Sequence, residues 1–275
     1  MFTLNCKGRI LHIDKPIVMG IINITPDSFY SGSRYESQDA ILNKAAQMMN
    51  DGATILDIGG QSSRPGSERL SAEAELERVM ESVLLIRKEF PEAFISIDTF
   101  YSLVAKEAIE AGADMVNDIS AGSLDAKLIE TVANLQVPYV LMHMKGNPQN
   151  MQEQTDYENV TSSVFNFLNQ KKSELLQAGV KDILVDPGFG FGKNIAQNFE
   201  LLKNLSDFKA LDAPILLGIS RKSTVYKTLD VSAEAALNGT SVLNTIGLLN
   251  GASILRVHDV KEAKEVIQLV AAYNN

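Results

Sequence analysis

Cysteine is almost missing from this chain: Cys6 stands alone among 275 residues. A lone cysteine excludes an internal disulfide framework and suits a reducing compartment. The opening residues, Met1 to Lys7, lack a charged segment followed by an apolar one, so no secretory signal is expected. No apolar run approaches the ~18 residues that a membrane span needs. Basic residues are the minority, 25 Lys and Arg against 34 Asp and Glu, for a net charge of -9. So acidic a chain has no general surface for a polyanion, and any anionic ligand must meet a few focused cations. The expectation is a soluble, cytoplasmic protein with neither membrane nor nucleic acid as partner. With 45% apolar and 21% charged residues, the composition is that of an ordinary globular chain able to bury a sizeable core.

Missing motifs narrow the chemistry. The three histidines form no H-E-x-x-H and no Cys/His cluster, so no zinc site is expected. No G-x-S-x-G is present and no cysteine lies near a histidine, which argues against a covalent hydrolase. No G-x-G-x-x-G follows the first strand, which counts against a doubly wound dinucleotide fold. The run Gly188 to Lys193 fails the Walker spacing, since Pro187 stands five before Gly192 and Asn194 replaces the Ser or Thr. Two readings of it stay open: a close-approach backbone presenting aromatic faces to a flat ligand, or a structural Gly-rich turn.

What is present is a repeating unit. Phe2–Asn5 and Arg9–Ile13 read as a hairpin turning at Lys7-Gly8, within residues 1–14. Then apolar, β-branched runs recur at Ile17–Ile22, Thr54–Ile58, Phe94–Ile97, Met115–Val116, Tyr139–Met142, Ile183–Val185, Ile215–Ile219 and Ser253–Val257. Amphipathic helical patterns separate them: Asp39–Asn50, Ala72–Phe90, Ser102–Ala111, Ala126–Leu135, Val160–Ala178, Phe199–Phe208, Glu234–Leu249 and Val260–Ala272. Ser71 reads as a helix cap, and Gly52, Gly112, Gly179 and Gly251 as helix stops. Eight such units without a linker predict one (β/α)8 barrel domain over 1–275, with the hairpin added at its start.

In such a barrel the C-terminal strand ends form the active face. Each apolar run is followed there by polar groups: Asn23, Asp57, Asp98-Thr99, Asn117-Asp118, His143, Asp186, Ser220-Arg221-Lys222, and Arg256 with His258. A lone Asp after a strand also reads as a cap for the next helix. Capping explains neither Lys222 nor Arg256 and His258, so the set points to a site. His143 reads either as a ligand contact or as a buried, hydrogen-bonded histidine, while His12 in the hairpin reads as structural. Asp98, Asp186 and the amide of Asn117 suit a heterocycle with a guanidine-like edge, and Lys222 suits its ring carbonyl. Arg256 and His258, one residue apart, point the same way as a small anion clip. Asn23 supplies a hard oxygen that suits Mg²⁺ on a phosphate. Ser62, Ser63, Arg64 and Pro65 lie on a loop of small residues able to close over a substrate.

Taken together, the runs Asn23–Phe29, Gly60–Gly66, Ser96–Thr99, Val116–Ile119, Met142–Met144, Asp186–Gly192, Ser220–Ser223 and Arg256–Asp259 resemble the dihydropteroate synthase family. They do so in order and over almost the whole chain. The resemblance implies a (β/α)8 barrel, a homodimer, and the joining of 6-hydroxymethyl-7,8-dihydropterin diphosphate to 4-aminobenzoate with release of diphosphate, in folate synthesis. It further implies a pterin pocket of Asp98, Asn117, Asp186 and Lys222, and diphosphate contacts from Asn23, Arg64, Arg256 and His258. Asn23 would also touch Mg²⁺. The aminobenzoate side would comprise Phe29, Ser63, Arg64, Pro65, Phe191 and Ser220, where a sulfonamide would compete. Asp98, Lys222 and Arg64 would carry catalysis. Gln61 and Ser63 depart from the family's usual Glu and Thr. A pterin-binding methyltransferase barrel would share the ring pocket but has no use for the Ser62–Pro65 loop or the Arg256/His258 clip, and a non-catalytic paralogue would be expected to lose Arg64, Lys222 or His258, all of which are present.

Overall fold

The structure, a computed structural model, describes residues 1–24, 34–62, 66 and 68–274. Strands β1 (Phe2–Cys6) and β2 (Arg9–Ile13) pair antiparallel, with Leu4 opposite Leu11. Alternation decides what this hairpin covers. Leu4, Cys6, Leu11 and Ile13 are buried, while Thr3, Asn5 and His12 on the other face are not. Its buried face packs on Ile17, Met19, Ile55, Met115, Val140, Leu184, Leu216 and Ile254, one floor of side chains inside the barrel.

The barrel strands are β3 (Ile17–Asn23), β4 (Ile55–Gly59), β5 (Phe94–Asp98), β6 (Met115–Asp118), β7 (Tyr139–Met142), β8 (Ile183–Asp186), β9 (Leu216–Leu217) and β10 (Ile254–Val257). All neighbours run parallel, in the order β8-β7-β6-β5-β4-β3-β10-β9. A parallel bridge from Val185 to Ile215 joins the two ends of that order and closes the barrel. The helices around it are α1 (Arg34–Asn50), α2 (Ala72–Glu89), α3 (Ser102–Glu110), α4 (Leu128–Leu135), α5 (Val160–Gln177), α6 (Ile195–Lys203), α7 (Ser223–Leu229), α8 (Leu237–Leu249) and α9 (Val260–Asn274). Outward-facing strand residues such as Val18, Leu56, Ile95, Val116, Leu141 and Leu255 form the main core against them.

Several expectations need correction: the helix expected at Asp39–Asn50 starts at Arg34, and the one expected at Glu234–Leu249 starts at Leu237. The helix expected at Phe199–Phe208 starts four residues earlier, because Asn194 and Gln197 form a reciprocal capping box. It ends at Lys203, and a 3₁₀ stretch, Leu205–Leu211, carries the chain onward. The short α7 was not expected at all. Its seven residues, STVYKTL, are too few to show an amphipathic period. The Ser71 cap is present, its hydroxyl accepting the Ala74 N–H at 3.2 Å. None of the described helices is long and apolar enough to cross a membrane.

Candidate active site

Strand alternation places the site. Two residues beyond the apolar floor, the inward positions become Asp57, Ser96, Asn117, Asp186 and Arg256, and Asp98 follows one step further up β5. In the sheet register Asp98 lies beside Asn117, and Asp57 beside Ser96. Arg256 spans the gap. Its Nε donates to Asp57 Oδ2 at 2.6 Å and its Nη2 donates to Asp98 Oδ2. The Asn117 amide donates to the same Asp57 oxygen at 3.0 Å. Arg256 Nη1 donates to none of the described residues, which leaves it for a ligand.

Opposite, the Lys222 ammonium donates to the Phe189 carbonyl at 2.7 Å and lies 4.5 Å from the Phe191 ring centre. Burial pulls Lys222 down to about 8, although Asp186 opposes that shift. Burial pushes Asp186 and Asp98 above the ordinary carboxylate range, against the pull of Lys222 and Arg256 respectively. Arg256 moves up because Asp57 and Asp98 outweigh its own desolvation. Three acids thus face two bases at the bottom of the mouth. Such a floor favours a ligand that donates along one edge and accepts on the other.

The anion side is next to it. His258 caps β10, and burial with the nearby Arg256 holds its imidazole down at about 4. It is therefore a neutral donor near pH 7. Ser220 Oγ accepts the His258 backbone N–H at 3.3 Å and lies 3.0 Å from Nδ1. A hydroxyl proton given to Nδ1 leaves Nε2–H for a ligand. Asn23 and His258 border an open pocket of about 450 Å³, lined also by Asn43, Lys44 and Gln47. Among the described residues no group of three or more His, Cys, Asp or Glu could hold a metal ion. The exposed Asn23 amide offers a single hard oxygen, which fits Mg²⁺ borne on diphosphate and water better than an ion caged by protein.

Several polar strand ends do other work. Asp118 faces away from the mouth, one residue after Asn117, and accepts Tyr139 Oη and the N–H groups of Ser120 and Gly122. It is the loop-capping Asp of the set. Arg221 forks onto both oxygens of Asp259, at 2.8 Å each, and so ties the β9 end to the β10 end. His143 is the buried, hydrogen-bonded kind: Lys193 Nζ sits 2.9 Å from its Nδ1 and also donates to the carbonyls of Gly188 and Phe191. That buried lysine holds the Gly-rich run in place, and the two aromatics of the run part company. Phe189 lies in the outer core, while Phe191 packs with Phe100, Ile119, Met142 and Met151 beneath the mouth. The close-approach reading therefore applies to one aromatic face, not two.

In the sequence Asp57 is only one more strand-end Asp; its place on the inward phase of β4, opposite Arg256, is set by closure of the barrel. Phe29, Ser63, Arg64 and Pro65 lie outside the described residues. The Gln61 departure is mild, because its Oε1 accepts the Leu70 N–H at 2.7 Å and a Glu oxygen would do the same.

Eight parallel strands closed on an apolar floor, with a charged cup above it and an open pocket beside Asn23 and His258, define a (β/α)8 barrel whose polar residues gather at the strand-end mouth. A family model described as "Pterin binding enzyme" matches residues 19–258. The dihydropteroate synthase of Escherichia coli K12 is 41% identical over 271 residues, covering 98% of this chain and 95% of its own. Among solved structures, the Yersinia pestis dihydropteroate synthase with a sulfonamide drug superposes with a TM-score of 0.93 at 38% identity, covering 99% of each chain. The Xanthomonas albilineans enzyme in complex with 7,8-dihydropteroate does so at 0.89 and 34% identity, covering 99% of this chain and 98% of that one. The chain belongs to the pterin-binding enzyme family, among its dihydropteroate synthases.

Proposed function

We propose that this chain, a transferase by its family, joins 6-hydroxymethyl-7,8-dihydropterin diphosphate to 4-aminobenzoate at the mouth just described. The observation that carries the reading is the juxtaposition of Asp98, Asn117, Asp186 and Lys222 with Arg256 and His258 at one strand-end rim. Asp98 and Asp186 accept the ring's N–H edge, and Lys222 donates to the ring carbonyl. Arg256 Nη1 and the neutral His258 donate to the diphosphate as the C–O bond breaks. Mg²⁺ arriving on that diphosphate, with Asn23 as a ligand, would take up part of the leaving group's charge. The pterin methylene left behind is cationic, and the Asp98 carboxylate stands near to stabilise it. The aryl amine then attacks and loses its proton to water, so no strong base is required. The residues' main task is to hold two flat rings in line. Phe29, Ser63, Arg64, Pro65, Phe191 and Ser220 are proposed for the aminobenzoate side, with Arg64 also reaching the diphosphate. Release of diphosphate on mixing the two substrates tests the whole reading. No release from folded protein supplied with Mg²⁺ would overturn it.

Lys222 gives a sharper check. Lys222→Ala is expected to weaken pterin binding by about 1.5–3 kcal/mol, or roughly ten- to a hundredfold. With its ammonium near 8, the charged form is lost as the pH rises through that value. Pterin affinity should therefore fall between pH 7 and 9 in the wild type, and that fall should be absent in Lys222→Ala. Calorimetry over that range reads both.

A homodimer and a cytoplasmic setting complete the proposal. The single cysteine, Cys6, is buried in the hairpin, where burial pushes its thiol up to about 12. Val242, Ile246 and Leu249 lie exposed on α8 at spacings of four and three, and exposed Leu229 lies against that helix at Gly239. An apolar stripe of this kind suits a second copy of the chain. Ile246→Asp should turn a dimer into a 30.0 kDa monomer in light scattering. A wild type already monomeric at micromolar concentration would remove the dimer.

A further inference from the structure

We propose that Asp57 is a positioning residue for pterin recognition, fixing which groups Asn117 and Arg256 turn toward the ligand. The inference rests on the pterin reading of the mouth. Asp57 is fully buried behind Asn117 and Arg256, which both donate to it, so its part is to hold those two side chains and not to meet the ligand. One of its oxygens, Oδ2, takes donors from two other strands: Asn117 Nδ2 at 3.0 Å from β6 and Arg256 Nε at 2.6 Å from β10.

The first bond settles the direction of an amide. Only the NH₂ end can donate to a carboxylate oxygen, so Asn117 is left with Oδ1 to offer the ligand. An acceptor at that point selects a ring presenting N–H and penalises one presenting a lone pair. The second bond grips the guanidinium by its inner N–H, and Asp98 grips it by Nη2. Two anchors set the plane of the fork and leave Nη1 for the leaving group.

Stability does not account for this residue. A buried ion pair is often matched or bettered by well-packed apolar side chains, and the second Asp57 oxygen, Oδ1, is buried with no hydrogen-bond partner among the described residues. An orphaned oxygen is a cost the barrel could avoid with an apolar residue. What an apolar residue could not do is hold two polar side chains in one orientation.

Asp57→Asn keeps the shape and one acceptor but removes the charge. It is expected to weaken binding of 6-hydroxymethylpterin at least tenfold by calorimetry, and to raise the KM for the pterin diphosphate, with the KM for aminobenzoate within twofold of wild type. In an Asn117→Ala background the same substitution should change pterin alcohol affinity by less than twofold, because the amide it orients is gone. Should Asp57→Asn fold poorly, Asp57→Ser, which still accepts a bond, gives the same comparison. Unchanged pterin affinity, an equal loss in the Asn117→Ala background, or parallel losses for both substrates would overturn the inference. If the wild type itself fails to bind the pterin alcohol, the ligand reading falls, and this inference with it.

Discussion

Arg256→Ala should destabilise the protein by about 3–5 kcal/mol and abolish turnover, because it strands two carboxylates that share one guanidinium. In a chain of this size that is a thermal midpoint lower by roughly 10 °C. The cause can be separated from lost packing. Burial already pushes Asp98 upward, and Arg256 is what opposes the shift. Without the cation, Asp98 must rise further in the folded state than in the unfolded one. A carboxyl raised in the folded state binds more protons there, so stability falls as the pH climbs through its unfolded value. Asp98 already stands at about 7 in the wild type, so the deficit of Arg256→Ala should be level from pH 4 to 6 and grow between pH 7 and 9, where only the wild type loses that proton. Adding Asp57→Asn to Arg256→Ala should recover part of it. Urea unfolding of the wild type and both variants across that range reads the outcome; a deficit flat in pH would assign the loss to packing alone.

Gly188→Ala is the second large effect. Gly188 has φ +73°, and a Cβ there would fall 1.8 Å from the His143 carbonyl oxygen, which is backbone and cannot swing aside. The left-handed backbone costs about 1–3 kcal/mol and the overpacking about as much again. The shift should spread through the Lys193 ammonium, which binds the carbonyls on either side of the turn. Phe191, Lys222 and the pterin affinity should move with it. The measurement is pterin affinity beside the thermal midpoint in Gly188→Ala and in Gly66→Ala. Gly66 also has positive φ but open space where a Cβ would go. Equal losses in the two would show that only the backbone angle matters.

Much of this molecule could be read from the residue string, and the limits have physical causes. Continuous apolar runs gave away buried parallel strands, since helices cover the barrel on every side. The runs stopped one residue short at β5 and β8 and two short at β6, because Asp98, Asp186 and the pair Asn117-Asp118 belong to the strands though they look like loop. A polar residue at a strand end carries no sign of which way it faces until the period is anchored by the apolar floor. That is why Asp118 and Asp57 could not be told apart: one caps a loop outside, while the other holds Arg256 inside. His143 stayed ambiguous for a similar reason, its partner Lys193 being fifty residues away.

The hairpin at the bottom has a consequence for traffic. Leu4, Cys6, Leu11 and Ile13 stopper the barrel, so the shaft above the floor is a blind well with entry and exit at the same rim. On the pterin reading proposed above, a ring seated at the Asp98–Asn117–Asp186 level would have to descend before anything filled the level above it, and a product made of both rings would leave as one piece. The ordering follows from the plumbing of the barrel and not from any special affinity.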